Sequence, residues 1–273
     1  MPAYKANLNS TTNANTFAPH GLTLRQTITS GTSISIPAGI SWVYAIVVGG
    51  GGGSAGGAGG ITPGWAYVKA TTTCVIGAGS TSRGGHTILT NLIAGGGGGT
   101  FNAPVVGGAG RGYHGTFGVP SAAATSYWGN PGGAAPTTTN EDGKPAYAAS
   151  GGFTSNVTSG ARTANGGSGV SGGGGGLGAA VSTTGGNGGG GWAGGGGGMA
   201  GAGASPGFGG NSLWGFTGGS GWPNIGAGGG AGLLGNGGSV ASTDPATNGF
   251  GGSGGGGGGS GASGGNGCIL LYY

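Results

Sequence analysis

Gly185-Gly186-Asn187-Gly188-Gly189-Gly190-Gly191-Trp192-Ala193-Gly194 belongs to a tract, residues 165–267, that is about half glycine and governs how the chain folds. Taken in steps of three, Gly166, Gly169, Gly172, Gly175 and Gly178 form an unbroken column, as do Gly226, Gly229, Gly232, Gly235 and Gly238. Another column runs Gly252, Gly255, Gly258, Gly261, Gly264 and Gly267. Between them Gly185, Gly188, Gly191, Gly194 and Gly197 run beside Gly186, Gly189, Gly195, Gly198 and Gly201, the latter interrupted at Trp192. Three residues per turn is the repeat of the polyproline II helix, which makes no internal hydrogen bonds and rises about 3.1 Å per residue. With glycine on the inward faces, several such helices can lie close enough for N–H and C=O groups to bond between neighbours. Proline is scarce in the tract, so this is not collagen.

The competing reading is a flexible linker, the usual state of low-complexity glycine. Each ordered residue costs roughly 1–2 kcal/mol of backbone entropy, and glycine has the most freedom to lose. Order is favoured by the interrupting residues Leu177, Trp192, Met199, Leu233, Leu234 and Phe250, because disordered chains are poor in aromatics and rich in charge. The runs are also alike in length, and roughly 13–17 residues at the polyproline rise gives rods of about 40–50 Å. Equal rods pack.

Composition bounds the rest. Of 273 residues, 85 are glycine, which leaves large side chains for one small core. Charged residues make up 4%, the formal net charge is +4, and Lys5, Arg25, Lys69, Arg83, Arg111, Lys144 and Arg162 are scattered. Nucleic-acid binding wants a basic stripe, so no nucleic-acid partner is expected. The longest apolar runs, 42–48 and 268–273, fall far short of the ~20 residues that span a bilayer. Residues 1–10 lack a charged stretch followed by an apolar one, so no signal peptide is expected and the chain is expected to fold first in a cytosol. Cys74 and Cys268 are then expected as reduced thiols in strands.

Residues 1–20 are polar, rich in Asn and Thr, and without sustained period; residues 1–29 are assigned to an N-terminal arm or attachment segment. Leu24, Gln26 and Ile28, then Ile34 and Ile36, alternate with polar residues before the turn Pro37-Ala38-Gly39. Trp42-Val43-Tyr44-Ala45-Ile46-Val47-Val48 is nearly continuous in apolarity, which predicts a strand buried on both faces or central in a sheet. Residues 65–69 and 71–76 are expected as a hairpin-like pair, with weaker strands at 86–89 and 92–94. Cys268-Ile269-Leu270-Leu271-Tyr272-Tyr273 is a terminal strand, and the sheet built by residues 22–94 is its available partner. The expected fold is an all-β base, a small β-sandwich of residues 30–94 and 268–273. It carries a glycine-rich polyproline II (polyglycine II) helical bundle over residues 95–267, with essentially no α-helix.

Thr32-Ser33-Ile34-Ser35-Ile36-Pro37-Ala38-Gly39, then residues 43–48, then Gly49-Gly50-Gly51-Gly52-Gly53 resemble the opening motif of the glycine-rich domain of bacteriophage tail and minor tail proteins. Val75-Ile76-Gly77-Ala78-Gly79 and Gly264-Gly265-Asn266-Gly267-Cys268-Ile269-Leu270 are similar to its internal and closing motifs. More loosely, residues 165–267 resemble the polyglycine II bundles of T-even-type phage receptor-binding adhesins, whose loops between glycine strands face the host. The resemblance implies a virion tail-tip location, a role in host attachment, and other tail-tip proteins and a host cell-surface glycan or protein as partners. A homo-oligomer, a trimer by preference, is also expected. The chain departs from the adhesins in lacking a recognisable N-terminal fibre-binding region.

Catalysis finds no foothold. Glu141 and Asp142 are adjacent in a turn and Asp244 is the remaining acid, whereas general acid–base pairs need facing positions and split environments. His20, His86 and His114 have no Cys, Asp or Glu at metal-ligand spacing. Gly-x-Gly-x-x-Gly patterns arise by necessity at this glycine content, and none follows a strand and opens a helix. No enzyme activity, cofactor or metal is expected.

Aromatics remain. Tyr113, His114, Phe117, Tyr127 and Trp128 cluster in residues 111–131, and Phe208, Trp214, Phe216 and Trp222 in residues 205–225. These segments break the glycine columns with Pro, Ser and Asn, so they read as loops between rods. Their rings serve either as lids over glycine backbone or as a receptor-binding surface, since Tyr and Trp offer large, stiff contact area with a polar tip. Trp42 and Trp65, in strands, are expected in the core. The alternative class is a secreted glycine-rich protein, either ice-binding or a wall component. Ice binding wants a flat face of small residues and usually disulfides, and a wall protein wants a signal peptide.

Overall fold

In the computed structural model, the described residues are 19, 21–53, 56–98, 165, 185–194, 205–221, 227–239, 254–255, 257–258 and 262–273. They form eight strands and no helix: β1 (Leu24–Ile28), β2 (Ser33–Ser35), β3 (Trp42–Val48), β4 (Ile61–Tyr67), β5 (Thr71–Val75), β6 (Thr87–Leu89), β7 (Leu92–Ala94) and β8 (Cys268–Tyr272). Two four-stranded sheets result, ordered β1-β8-β3-β4 and β2-β5-β6-β7, with every pairing antiparallel.

The terminal strand does pair with the sheet, and it pairs on both sides. Leu270 lies opposite Thr27 of β1 and opposite Ile46 of β3, so β8 has no free edge to protect. Because β1 is its partner, the sheet takes in residues 24–28, which the division at residue 30 left to an arm. Pro63 sits on β4, an edge strand, where its missing N–H costs no ladder bond.

The expected pairing of 65–69 with 71–76 does not occur: β4 pairs with β3, while β5 pairs with β2 and β6. The chain changes sheets at residues 68–70. Val68 N–H donates to the Ser41 carbonyl, the Ala70 carbonyl accepts from Ile36 N–H, and the Thr72 hydroxyl oxygen accepts from Lys69 N–H at 2.8 Å. Each side of the corner is thereby satisfied by a different sheet.

β3 is central in its sheet and, from Ala45 onward, buried on both faces, as its nearly unbroken apolarity predicted; Trp42 at its start is exposed and Tyr44 is half-buried. Val43, Ala45 and Val47 join Ile269 and Leu271 of β8 against Ile34, Cys74 and Leu89 of the second sheet. Ile46 and Val48, with Leu270 and Tyr272, face the other way and pack on Ala58, Ala193, Trp214 and Leu233 of the glycine segments. Base and glycine segments therefore share a core, and Trp192 and Leu233, two of the apolar interruptions, contribute to it.

Glycine segments are bonded to one another in steps of three. Gly49 and Gly52 N–H donate to the carbonyls of Gly60 and Gly57, Gly50 and Gly53 to those of Gly85 and Ser82, and Gly51 to that of Gly265. Successive residues thus address three neighbours in rotation, and the fourth returns to the first. Between residues 185–191 and 205–211 the steps share a direction: Gly185, Gly188 and Gly191 donate to Ser205, Phe208 and Asn211 at 2.8–3.2 Å. Such closeness excludes side chains, since a Cβ on Gly51 would lie 2.0 Å from the Gly255 carbonyl oxygen. Residues 49–53, 56–60 and 77–85, placed by sequence outside the 95–267 tract, belong to this bonded assembly: Gly56 donates to Gly257, Gly57 to Gly98 and Gly264 to Ser80.

Candidate binding surface

Alternation along β3 and β4 places Trp42, Tyr44, Trp65 and Tyr67 on the outer face of the first sheet, in line with Ile46 and Val48. The register sets Trp42 opposite Tyr67 and Tyr44 opposite Trp65. Their rings meet edge to face, at centroid separations of 5.5 Å and 5.7 Å, and Tyr44 meets Tyr272 at 6.2 Å. Contacts of this kind add about 0.5–1.5 kcal/mol beyond the area they bury. Trp42 is 57% exposed, Trp65 48% and Tyr67 51%, which corrects the expectation that Trp42 and Trp65 are core. The glycine cover begins at Gly49, directly after Val48, and Trp42 lies six residues back, about 20 Å along the strand at the usual rise.

Of the rings singled out in sequence, Phe208 is 56% exposed, Trp214 is 5% exposed, and Phe216 is half-buried. Trp214 packs into the outer-face core and meets Trp192 edge to face at 6.2 Å, so it covers apolar surface. Tyr113, His114, Phe117, Tyr127, Trp128 and Trp222 lie outside the described residues. Neither strand by itself shows that these rings meet, because it is the β3–β4 register that brings them together. The spacing of aromatics at 42 and 44, and at 65 and 67, was the available signal, since alternate residues share a face.

The described surface is poor in charge. Arg25, Lys69 and Arg83 lie within it, and Glu141, Asp142 and Asp244 fall outside. Arg25 Nε donates to the Tyr273 carbonyl at 3.1 Å, tying the chain end to β1. Among the described residues, no group of three His, Cys, Asp or Glu could hold a metal ion, and no helix is long and apolar enough to cross a membrane.

Cys74 and Cys268 are free and buried in β5 and β8. They pack in the two different cores, on opposite sides of the first sheet, so the fold keeps them apart. Burial pushes the Cys268 thiol up to about 12 and raises Cys74 as well, which leaves little thiolate for reaction. Burial also raises Tyr272, reinforced by Tyr44 and Cys268.

Comparison of the chain with protein-family models, with curated proteins and with solved structures found no match.

Proposed function

We propose that this chain is a bacteriophage tail-tip minor tail protein or adhesin, a non-catalytic part of the virion that contacts a host cell-surface receptor. The observation that carries the proposal is the rotation of backbone bonds through three neighbours in the glycine segments, the bonding expected of polyglycine II rods. Combined with a β base and the resemblance of residues 32–39, 43–53, 75–79 and 264–270 to tail-protein motifs, it favours a receptor-binding bundle over a linker.

Rods of this kind fix the backbone while leaving the connections between them free to vary, and recognition usually resides in such connections. Low charge disfavours electrostatic capture. Stiff exposed rings favour stacking on sugars, so a cell-surface polysaccharide is the receptor class, ahead of an outer-surface protein. Weak single sites suffice when several copies sit on one tail, in a trimer by preference, because linked sites gain avidity without new contacts.

Immuno-electron microscopy tests this with antibody raised against the purified chain and phage particles whose genome encodes it. Label at the tail tip is the expected result. Unlabelled particles, or label on secreted material with no particle, overturn the proposal.

A further inference from the structure

Several asparagines of the glycine segments are followed directly by glycine, as in Asn187-Gly188, Asn236-Gly237 and Asn266-Gly267. In an unfolded chain this dipeptide is the one most prone to lose its side-chain amide, since glycine offers no side chain to hinder attack by its own nitrogen. The asparagines at all three positions are exposed, so burial does not shield them.

Each pair instead grips the neighbouring segment at two points. Asn187 Oδ1 accepts from Phe208 N–H at 2.9 Å, and Gly188 N–H donates to the carbonyl of the same residue at 2.8 Å. Asn236 Oδ1 accepts from Thr217 N–H at 2.9 Å, and Gly237 N–H donates to the Thr217 carbonyl at 2.9 Å. Asn266 Oδ1 accepts from Gly79 N–H at 2.8 Å, and Gly267 N–H donates to the Gly77 carbonyl at 2.7 Å. The carboxamide and the following peptide N–H together engage a donor and an acceptor of the adjacent backbone, which fixes the stagger between segments.

We propose that these Asn-Gly pairs are latent modification sites, held as amides by their two-point grip on the neighbouring segment and open to succinimide formation when that grip is released. For reaction, the glycine nitrogen must swing onto Cγ of the preceding asparagine and give up its proton to a solvent base. The new N–Cγ bond forms as Nδ2 leaves as ammonia, and water then opens the ring. Opening at Cγ gives aspartate, while opening at the main-chain carbonyl gives isoaspartate, and the net change is one water consumed and one ammonia released. The grip opposes the first step twice, because it engages the attacking N–H and anchors the Oδ1 of the group under attack. An isoaspartate carries one extra backbone methylene, so a single event would throw the three-residue stagger out of register and make the release permanent.

Peptide mass spectrometry of the full chain, aged in mildly alkaline buffer with and without urea, measures the rates. Asn187, Asn236 and Asn266 are expected to convert about tenfold or more slowly in the folded chain, because reaction then waits on local opening. Equal rates in the two states overturn the proposal. Thr217→Pro separates the grip from folding in general, since it deletes the N–H held by Asn236 and keeps the carbonyl held by Gly237. In that variant Asn236 should convert several-fold faster while Asn187, held on Phe208, keeps its native rate; an unchanged Asn236 refutes the grip. If both sites accelerate, the variant has opened the bundle, and Asn236→Ala against Asn236→Asp decides. A carboxylate still accepts the Thr217 N–H and should retain the wild-type melting temperature, whereas alanine should lower it, and an alanine variant as stable as wild type overturns the proposal.

Discussion

Adding one methyl group at Gly51 tests the packing of the glycine segments directly. A Cβ there would lie 2.0 Å from the Gly255 carbonyl oxygen and 2.6 Å from its carbon, so the two segments must part by more than about 1 Å to reach an ordinary contact near 3.5 Å. Neither is free to move. Gly51 N–H donates to the Gly265 carbonyl at 2.8 Å, its own carbonyl accepts from Ser80 N–H, and Gly52 on one side is tied to both Gly57 and Gly257. Overpacking costs about 1–3 kcal/mol, and each backbone bond stretched out of range adds about 0.5–1.5 kcal/mol. Gly51→Ala should therefore destabilise by roughly 2–5 kcal/mol after the gain of about 0.4–1 kcal/mol from a stiffer unfolded chain. Gly235 is the control, because a Cβ there meets nothing within 4 Å; Gly235→Ala should be neutral or stabilising by up to about 1 kcal/mol. Urea unfolding followed by tryptophan fluorescence gives both values. Equal midpoints for the two variants would mean that the segments yield like a linker, and the reasoning from bonded, close-packed backbone would fail.

Leu271→Ala and Leu270→Ala empty opposite faces of β8, and each should cost about 2–5 kcal/mol; a negligible cost at Leu270 would show that the glycine segments do not cover that face. Deleting residues 269–273 removes a strand paired on both sides and should yield insoluble chain, so an unchanged melting curve would place β8 at the periphery. Cys268 prefers the neutral thiol in the fold, so its contribution is complete below its ordinary pKa of 9.0 and fades as pH rises towards about 12. Unfolding midpoints should drop across that window, and less so in Cys268→Ala; a flat profile refutes the assignment. Trp42→Ala and Trp65→Ala, at exposed sites, should leave the melting temperature within a few degrees of wild type, whereas Trp214→Ala should lower it clearly, by the roughly 3–5 kcal/mol of a buried tryptophan. Host-cell binding measured beside stability for these three, and for Trp128→Ala and Trp222→Ala, shows which rings touch a receptor: binding lost with stability kept identifies them, and binding kept in all five excludes the aromatic surfaces.

Hydrophobic patterning determined which segments of the base are strands. Alternation at 24–28 and 34–36, unbroken apolarity at 43–48 and the apolar end at 268–272 specified strands, because a strand repeats every two residues and its burial shows in that repeat. A terminal apolar strand with one available sheet determined its own destination. Partners were another matter. Nothing local in residues 65–69 says that β4 joins β3 while β5 crosses to the other sheet, since the corner is held by Ser41 and Ile36, distant in sequence. Apolar character at Trp42 and Trp65 predicted burial, yet only the extent of the glycine cover, which starts at Gly49, decides which end of the outer face stays open. The membership of residues 49–53, 56–60 and 77–85 in the bonded assembly was hidden for a related reason. Glycine has no side chain, so its segments carry no pattern by which one neighbour could be told from another, and partner choice falls to the sheets that aim each segment and to the few asparagines and apolar residues that lock it in place.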